Sequence, residues 1–398
     1  TITHSHIVQV KDFRISCRVR TLFYNLDHSL TQSHTHTEIV SDVVVKESKT
    51  SVESVPLSQY SPMRGNERLR KAIVNLRKTM YGEQIDDEQV CVVCSATEGI
   101  YATMQAFVNP GDEVVLFEPF FPWYLPAVRM AGGTPVVVEL KAPTFEMKKQ
   151  DLERVFNENT KAVVFNTPHN PTGHVATRDE MSLLASFCEK FDTICISDEV
   201  YEVCSFDSSK RPHLTMSSLM PKRTVCLASS SKLLSVTGYR VGWVTGPVDL
   251  MKAVSCVHSY MTFCAPTPLQ VGIAAGIESA LSGAKNARDV EIALGDLGTV
   301  FGRNWKRLAS SMEKVGLEVC PSSGGYFLVA DVSKSGMNDF EFCEWLIKNH
   351  EIVAVPLSLF YADSKKSRSL VRFAVCKTES FIADAADAFE KVKISSSS

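Results

Sequence analysis

TVCLASSSK (224–232) begins as an apolar, β-branched run and ends in three serines and a lysine. A run of that length and character reads as a strand buried on both faces, with the serines at its C-terminal end. Six further runs share the pattern: VCVVC (90–94), EVVLF (113–117), PVVVEL (135–140), KAVVF (161–165), TICIS (193–197) and YRVGWV (239–244). Amphipathic helical patterns lie between several of them, as over 98–107 and 178–190. Such alternation predicts an α/β fold. A large domain over 56–285 holds a mostly parallel seven-stranded sheet sandwiched by helices, and a smaller α/β domain follows over 286–393. Ligands of such sheets bind beyond the C-terminal ends of the strands, so the residues just after each run carry the chemistry.

Composition narrows the class. The chain has 398 residues, 22% charged, with a formal net charge of −3 and no basic stripe, which argues against nucleic acid. No apolar run reaches the length of a membrane span. Twelve cysteines lie without a framework spacing, mostly in apolar stretches, so free thiols and a reducing compartment, the cytoplasm, are expected. Cys91 and Cys94 form a C-x-x-C, but within a strand-like run they face opposite sides, against a redox pair or zinc half-site. Residues 1–55 are rich in Ser, Thr and His and contain no glycine. They read as an irregular segment that joins the small domain or a partner. The H-x-H pairs there (His4, His6, His34, His36) read as solvated, and no metal is expected. The terminal stretch 394–398 reads as a disordered tail.

Each strand end offers candidates, with a plainer reading beside it. Ser95, Ala96 and Thr97 precede a helix: they suit a phosphate cradle at a helix N-terminus, or a simple cap. Asn166 and Asn170 stand in NTPHNPTG (166–173), where two prolines and a glycine fix an unusual backbone. Asp198 ends a buried strand, where a carboxylate needs a partner, with Tyr201 three residues on; the plainer reading is a helix cap. Ser229, Lys232 and Arg240 combine hydroxyls, a guanidinium and an amine able to form an imine with an aldehyde. Arg372 sits alone in the apolar LVRFA (370–374), as a carboxylate clamp or a structural ion pair.

Together these motifs resemble the fold-type I, class I/II aminotransferases, which use pyridoxal 5′-phosphate, over about residues 60–393. Within that family the sequence is most similar to kynurenine aminotransferases, also called glutamine transaminase K or cysteine-conjugate β-lyase. EPFF (118–121), MAGGTP (130–135), NTPHNPTG, ISDEVYE (196–202), SVTGYRVGW (235–243), APTPLQ (265–270) and GGYFLVADVS (324–333) carry the likeness. The resemblance implies a homodimer with active sites at the subunit interface. Lys232 then holds the cofactor as a Schiff base, Asp198 keeps its ring nitrogen protonated, Asn170 and Tyr201 bond its ring oxygen, and Phe121 stacks on its face. Ser95, Ala96, Thr97, Ser229 and Arg240 hold its phosphate, with Tyr60 reaching the phosphate of the neighbouring subunit. Arg372 clamps the substrate carboxylate beside Asn166. Tyr124 lines the side-chain pocket, and Phe263 reaches it from the partner.

Some positions depart from the pattern. A glycine-containing stretch that closes over the substrate in relatives is replaced by LTQSHTHTEIVSDVVVKESKT (30–50). Thr97 replaces a tyrosine and Cys264 a histidine that the kynurenine enzymes tend to carry. The implied reaction is transfer of the amino group of an aromatic, sulfur-containing or large neutral L-amino acid to a 2-oxo acid. The altered N-terminal segment leaves elimination from cysteine conjugates, or another specialised reaction of the same cofactor on the same fold, as the alternative.

Overall fold

The computed structural model describes residues 38–53, 58–207 and 211–394. The His-rich start and the serine tail lie outside the described residues.

Seven strands form the main sheet: β1 (Val90–Val93), β2 (Glu113–Glu118), β3 (Thr134–Glu139), β4 (Thr160–Asn166), β5 (Ile194–Asp198), β6 (Thr224–Ser229) and β7 (Gly242–Thr245), in the order β1-β7-β6-β5-β4-β2-β3. Only β7 runs antiparallel to its neighbours. β4, β5 and β6 are buried almost throughout, which explains their near-continuous apolar sequence. A second, antiparallel sheet is ordered β10-β11-β9-β8, from β8 (Glu318–Val319), β9 (Phe327–Asp331), β10 (Val355–Pro356) and β11 (Leu370–Ala374).

The strands agree with the sequence runs except at β7, expected over 239–244. Thr237–Tyr239 instead forms a 3-10 turn, and Arg240 has a left-handed backbone (φ 54°), so pairing begins only at Gly242.

The longer helices are α1 (Glu38–Glu53), α2 (Glu67–Tyr81), α3 (Ser95–Phe107), α4 (Arg178–Lys190), α5 (Val248–Met261), α6 (Thr267–Leu281), α7 (Leu297–Lys314), α8 (Asp339–His350) and α9 (Glu379–Phe389). Among the described residues none is long and apolar enough to cross a membrane. α1 corrects the reading of 1–55 as wholly irregular. Its Val44, Ser48 and Ser51 are buried, at the i, i+4, i+7 spacing of one helix face. They pack where α6 offers glycines: a Cβ on Gly272 would collide with Ser48 Oγ, and one on Gly276 with Val44 Cγ2. Close packing on α6, rather than helix propensity, supports a sequence rich in valine, serine and threonine.

Candidate active site

The ends of β1, β4, β5 and β6 converge with β11 of the second sheet on a cavity of about 460 Å³. Thirteen of the fifteen residues singled out from the sequence line it: Ser95, Ala96, Thr97, Phe121, Tyr124, Asn166, Asn170, Asp198, Tyr201, Ser229, Lys232, Arg240 and Arg372.

β4 and β5 end in register, with Asn166 opposite Asp198. The Asn166 amide donates to the Asp198 carbonyl at 2.7 Å and its Oδ1 accepts the Asn170 N–H at 2.8 Å. Strand end and asparagine loop are thereby locked together. Asn170 Nδ2 in turn faces the Tyr201 hydroxyl at 3.5 Å.

Asp198 is buried, and Tyr124 Oη donates to its Oδ2 at 2.6 Å. No cationic side chain among the described residues acts on it. Burial pushes its carboxyl up to about 6, against the pull of the Tyr124 and Val200 hydrogen bonds, while Glu199 adds to the rise. No helix follows it, so it is not a cap. Tyr124, expected to face the substrate side chain, lines the cavity with its hydroxyl committed to Asp198. Lys232 Nζ lies 5.2 Å from the centre of the Tyr326 ring, and Tyr326 packs edge-on to Tyr201.

At one end of the cavity, Ser95 is left-handed (φ 76°) and its Oγ accepts from Arg240 Nη2 at 2.7 Å. The cap reading of Ser95 therefore does not describe its side chain. Ser229 caps the short helix Ser230–Leu233 that presents Lys232, and Ser231 Oγ is buried without a partner. Ser231 joins the hydroxyls there although the sequence reading chose Ser229.

At another wall, the Arg372 guanidinium lies 4.5 Å from the Phe327 ring centre and 4.7 Å from that of Phe360. Nη1 donates to Asn170 Oδ1 at 2.9 Å, Nε is buried without a partner, and no carboxylate among the described residues acts on it. The structural ion pair weighed against the clamp is thus not found. A desolvated guanidinium with spare donors is prepared for an incoming anion.

Tyr60 and Phe263 do not line the cavity. They are 81% and 45% exposed and pack edge-on to each other, ring centres 5.1 Å apart. Trp123 stacks on Phe121 from outside at 4.9 Å. His169 is buried against Thr172, and burial pushes its imidazole down to about 3, leaving it neutral. The sequence reading missed Tyr326, Phe327 and Cys376, which also line the cavity. The aromatic pair stood within the quoted GGYFLVADVS, and its strand start was the available signal.

Hydroxyls, two guanidiniums, an amine and a buried carboxylate thus line one cavity. The family model for aminotransferase class I and II matches residues 27–389, and the chain belongs to that family. It is 35% identical over 374 residues to human (Homo sapiens) kynurenine–oxoglutarate transaminase 3, covering 88% of this chain and 82% of the relative. It is 33% identical to the methionine aminotransferase of Escherichia coli strain K12, covering 83% of each. A solved Escherichia coli structure with a methionine aminotransferase function matches with a TM-score of 0.80 at 31% identity, over 88% of this chain and 89% of that one.

The protein is therefore a fold-type I aminotransferase resembling the kynurenine enzymes, dependent on pyridoxal 5′-phosphate. Its residues fit that cofactor. The buried Asp198 carboxylate lacks a cation that a protonated ring nitrogen supplies, and Ser231 Oγ and the Arg240–Ser95 pair offer donors to a phosphate.

Proposed function

We propose that the amino donor is an aromatic, sulfur-containing or large neutral L-amino acid and the acceptor a 2-oxo acid. The observation that carries this is the division of labour among the cations of the cavity. Lys232, Arg240 and Arg372 line it. Arg240 belongs with Ser95 at the phosphate end, and Lys232 serves the chemistry. Arg372 is then the one cation among the described lining residues left for a carboxylate. Among the described lining residues of this chain a second acidic group on the donor meets no further cation, whereas Phe121, Tyr124, Tyr326, Phe327 and Ile100 offer an apolar, largely aromatic wall.

The roles follow from position. Bound pyridoxal phosphate supplies an electron sink that makes the substrate Cα–H acidic. Asp198 would keep the ring nitrogen protonated, with Tyr124 orienting its carboxylate. Lys232 would hold the cofactor at rest, and its free amine would take the proton from the substrate Cα as base and deliver it as acid to the cofactor carbon bearing the nitrogen, which completes the amino transfer. Arg372 grips the α-carboxylate and so aims the Cα–H bond at Lys232, with Asn170 steadying the guanidinium. Asn170 and Tyr201 would bond the ring oxygen, Phe121 would cover a ring face, and Ser95, Ala96, Thr97, Ser229 and Arg240 would hold the phosphate.

The functional unit is a homodimer. Tyr60 and Phe263 are the two candidates that the resemblance assigns to the neighbouring site, and they lie exposed beside each other outside the chain's own cavity. The described cysteines are free and most are buried, which supports a reducing compartment, the cytoplasm.

The test is a half-reaction screen, mixing the holoenzyme with single amino acids and following the visible absorbance. Phenylalanine, methionine and kynurenine are expected to change it much faster than aspartate or glutamate. A preference for aspartate contradicts the assignment, and pyruvate with ammonia from a cysteine conjugate identifies elimination instead.

A further inference from the structure

Glu98, in the first turn of α3, ties together two segments that the site uses separately. Its Oε2 accepts the backbone N–H of Cys94, the residue that leads into Ser95. Its Oε1 accepts from His258 Nδ1 at 2.7 Å and from Thr262 Oγ1 at 2.9 Å, both at the end of α5. His258 is fully buried and its Nε2 has no partner. A carboxylate only accepts, so the proton facing it sits on Nδ1. Two strong donors and a backbone N–H thus converge on one buried carboxylate.

Each segment held this way carries a non-glycine residue in the left-handed region. Ser95 (φ 76°) follows Cys94, and Phe263 (φ 67°) follows Thr262. Such conformations persist only where the surroundings over-determine them. α3 has no side-chain cap at Cys94, and Glu98 serves that end by reaching back from within the helix. Beyond Phe263 the contacts continue. Tyr60 packs on Phe263, Ser61 Oγ meets Thr267 Oγ1 at 2.9 Å, and Thr267 donates to the Gln59 carbonyl at 2.9 Å. A single carboxylate therefore stands between Ser95–Thr97 and the exposed pair Phe263–Tyr60.

We propose that Glu98 is a positioning residue that couples the phosphate cradle to the aromatic pair at the subunit interface. It rests on the reading that Ser95–Thr97 hold the cofactor phosphate and that Tyr60 and Phe263 meet the partner. A carboxylate that only stabilises the fold affects all ligands alike, whereas one that shapes the cradle affects ligands that carry a phosphate.

The experiment compares pyridoxal 5′-phosphate with pyridoxal, which lacks the phosphate, by equilibrium dialysis on the full-length protein. Subunit association is followed in parallel by sedimentation velocity. Loss of charge-assisted hydrogen bonds at Glu98→Ala is expected to weaken pyridoxal phosphate about tenfold or more and pyridoxal less than about twofold, and to weaken association. Thr262→Val removes the Thr262 bond alone, and is expected to weaken association and to lower phosphate discrimination by less than Glu98→Ala does, since Tyr60 of the partner subunit reaches the phosphate. If Glu98→Ala does not fold, Glu98→Gln, which keeps one acceptor, is expected to show the same phosphate-specific loss in smaller measure. Equal weakening of both ligands, or of neither, overturns the role of Glu98. A wild type that binds both ligands equally tightly contradicts the cradle reading, and a monomeric holoenzyme contradicts the dimer reading.

Discussion

Arg240 Nη2 donates to Ser95 Oγ at 2.7 Å, and both residues carry left-handed backbones. Each bears a side chain where glycine is at ease, at a cost of roughly 1–2 kcal/mol. Ser95→Gly relieves that strain but removes the acceptor that aims Arg240. The apoprotein is expected to melt no lower than wild type, with a gain of up to about 1 kcal/mol. Cofactor affinity is expected to fall several-fold. Thermal melting and dialysis check the two arms, and a variant that loses stability while keeping affinity contradicts the strain argument.

Arg372 lies against Phe327 and Phe360 with no carboxylate partner among the described residues. Arg372→Lys keeps charge but loses the planar fork, and Arg372→Ala loses both. Both are expected to retain pyridoxal phosphate. kcat/KM should fall by about 10-fold or more for the lysine and about 100-fold or more for the alanine variant, from lost orientation and lost charge-assisted bonds. Steady-state kinetics beside cofactor titration tests this, and primary loss of cofactor binding refutes the clamp.

Asp198 gives a pH prediction for the apoprotein. Its folded carboxyl stands at about 6 against an ordinary 3.8, chiefly from burial. The folded chain binds that proton more tightly than the unfolded one. Stability from this group is therefore full below about pH 4 and lost as pH rises through about 6, on the order of 3 kcal/mol in all. Asp198→Asn removes the loss, so the variant should gain on wild-type apoprotein by that order between pH 4 and 7. Urea unfolding at several pH values measures it, and a difference that stays flat with pH counts against a buried carboxylate that lacks a cation.

Behind the site, Arg77 is fully buried and paired with Glu83 through Nε at 2.5 Å and Nη2 at 2.9 Å. Thr215 and Ser217 also donate to Glu83. Arg77→Met leaves Glu83 without its cation, and about 3–5 kcal/mol of stability should be lost. Chemical denaturation checks this, and a change under about 1 kcal/mol contradicts a desolvated pair.

The sequence reading succeeded where one physical signal dominates. β4, β5 and β6 are buried almost throughout, so their apolar runs stand out, and the polar residues that follow them line the cavity. It failed where tertiary contacts decide. α1 is held by Gly272 and Gly276 some 230 residues away in the chain, which no local pattern of its own residues announces. β7 starts late because Arg240 turns left-handed to meet Ser95. Tyr326 and Phe327 read as ordinary strand residues, since only the fold brings β9 against Tyr201 and Arg372. The exposed pairing of Tyr60 with Phe263 joins residues far apart in sequence and likewise needed the structure.

The central claim is that Lys232, presented by the short helix after β6 beside Tyr326, is the residue that holds the cofactor. Borohydride reduction fixes pyridoxal phosphate permanently to the amine that carries it. Peptide mass spectrometry of the reduced holoenzyme should find the label on the peptide containing Lys232 and nowhere else in stoichiometric amount, and Lys232→Ala should take none. Stoichiometric label on another lysine, or a Lys232→Ala protein that still transaminates at the wild-type rate, contradicts the account.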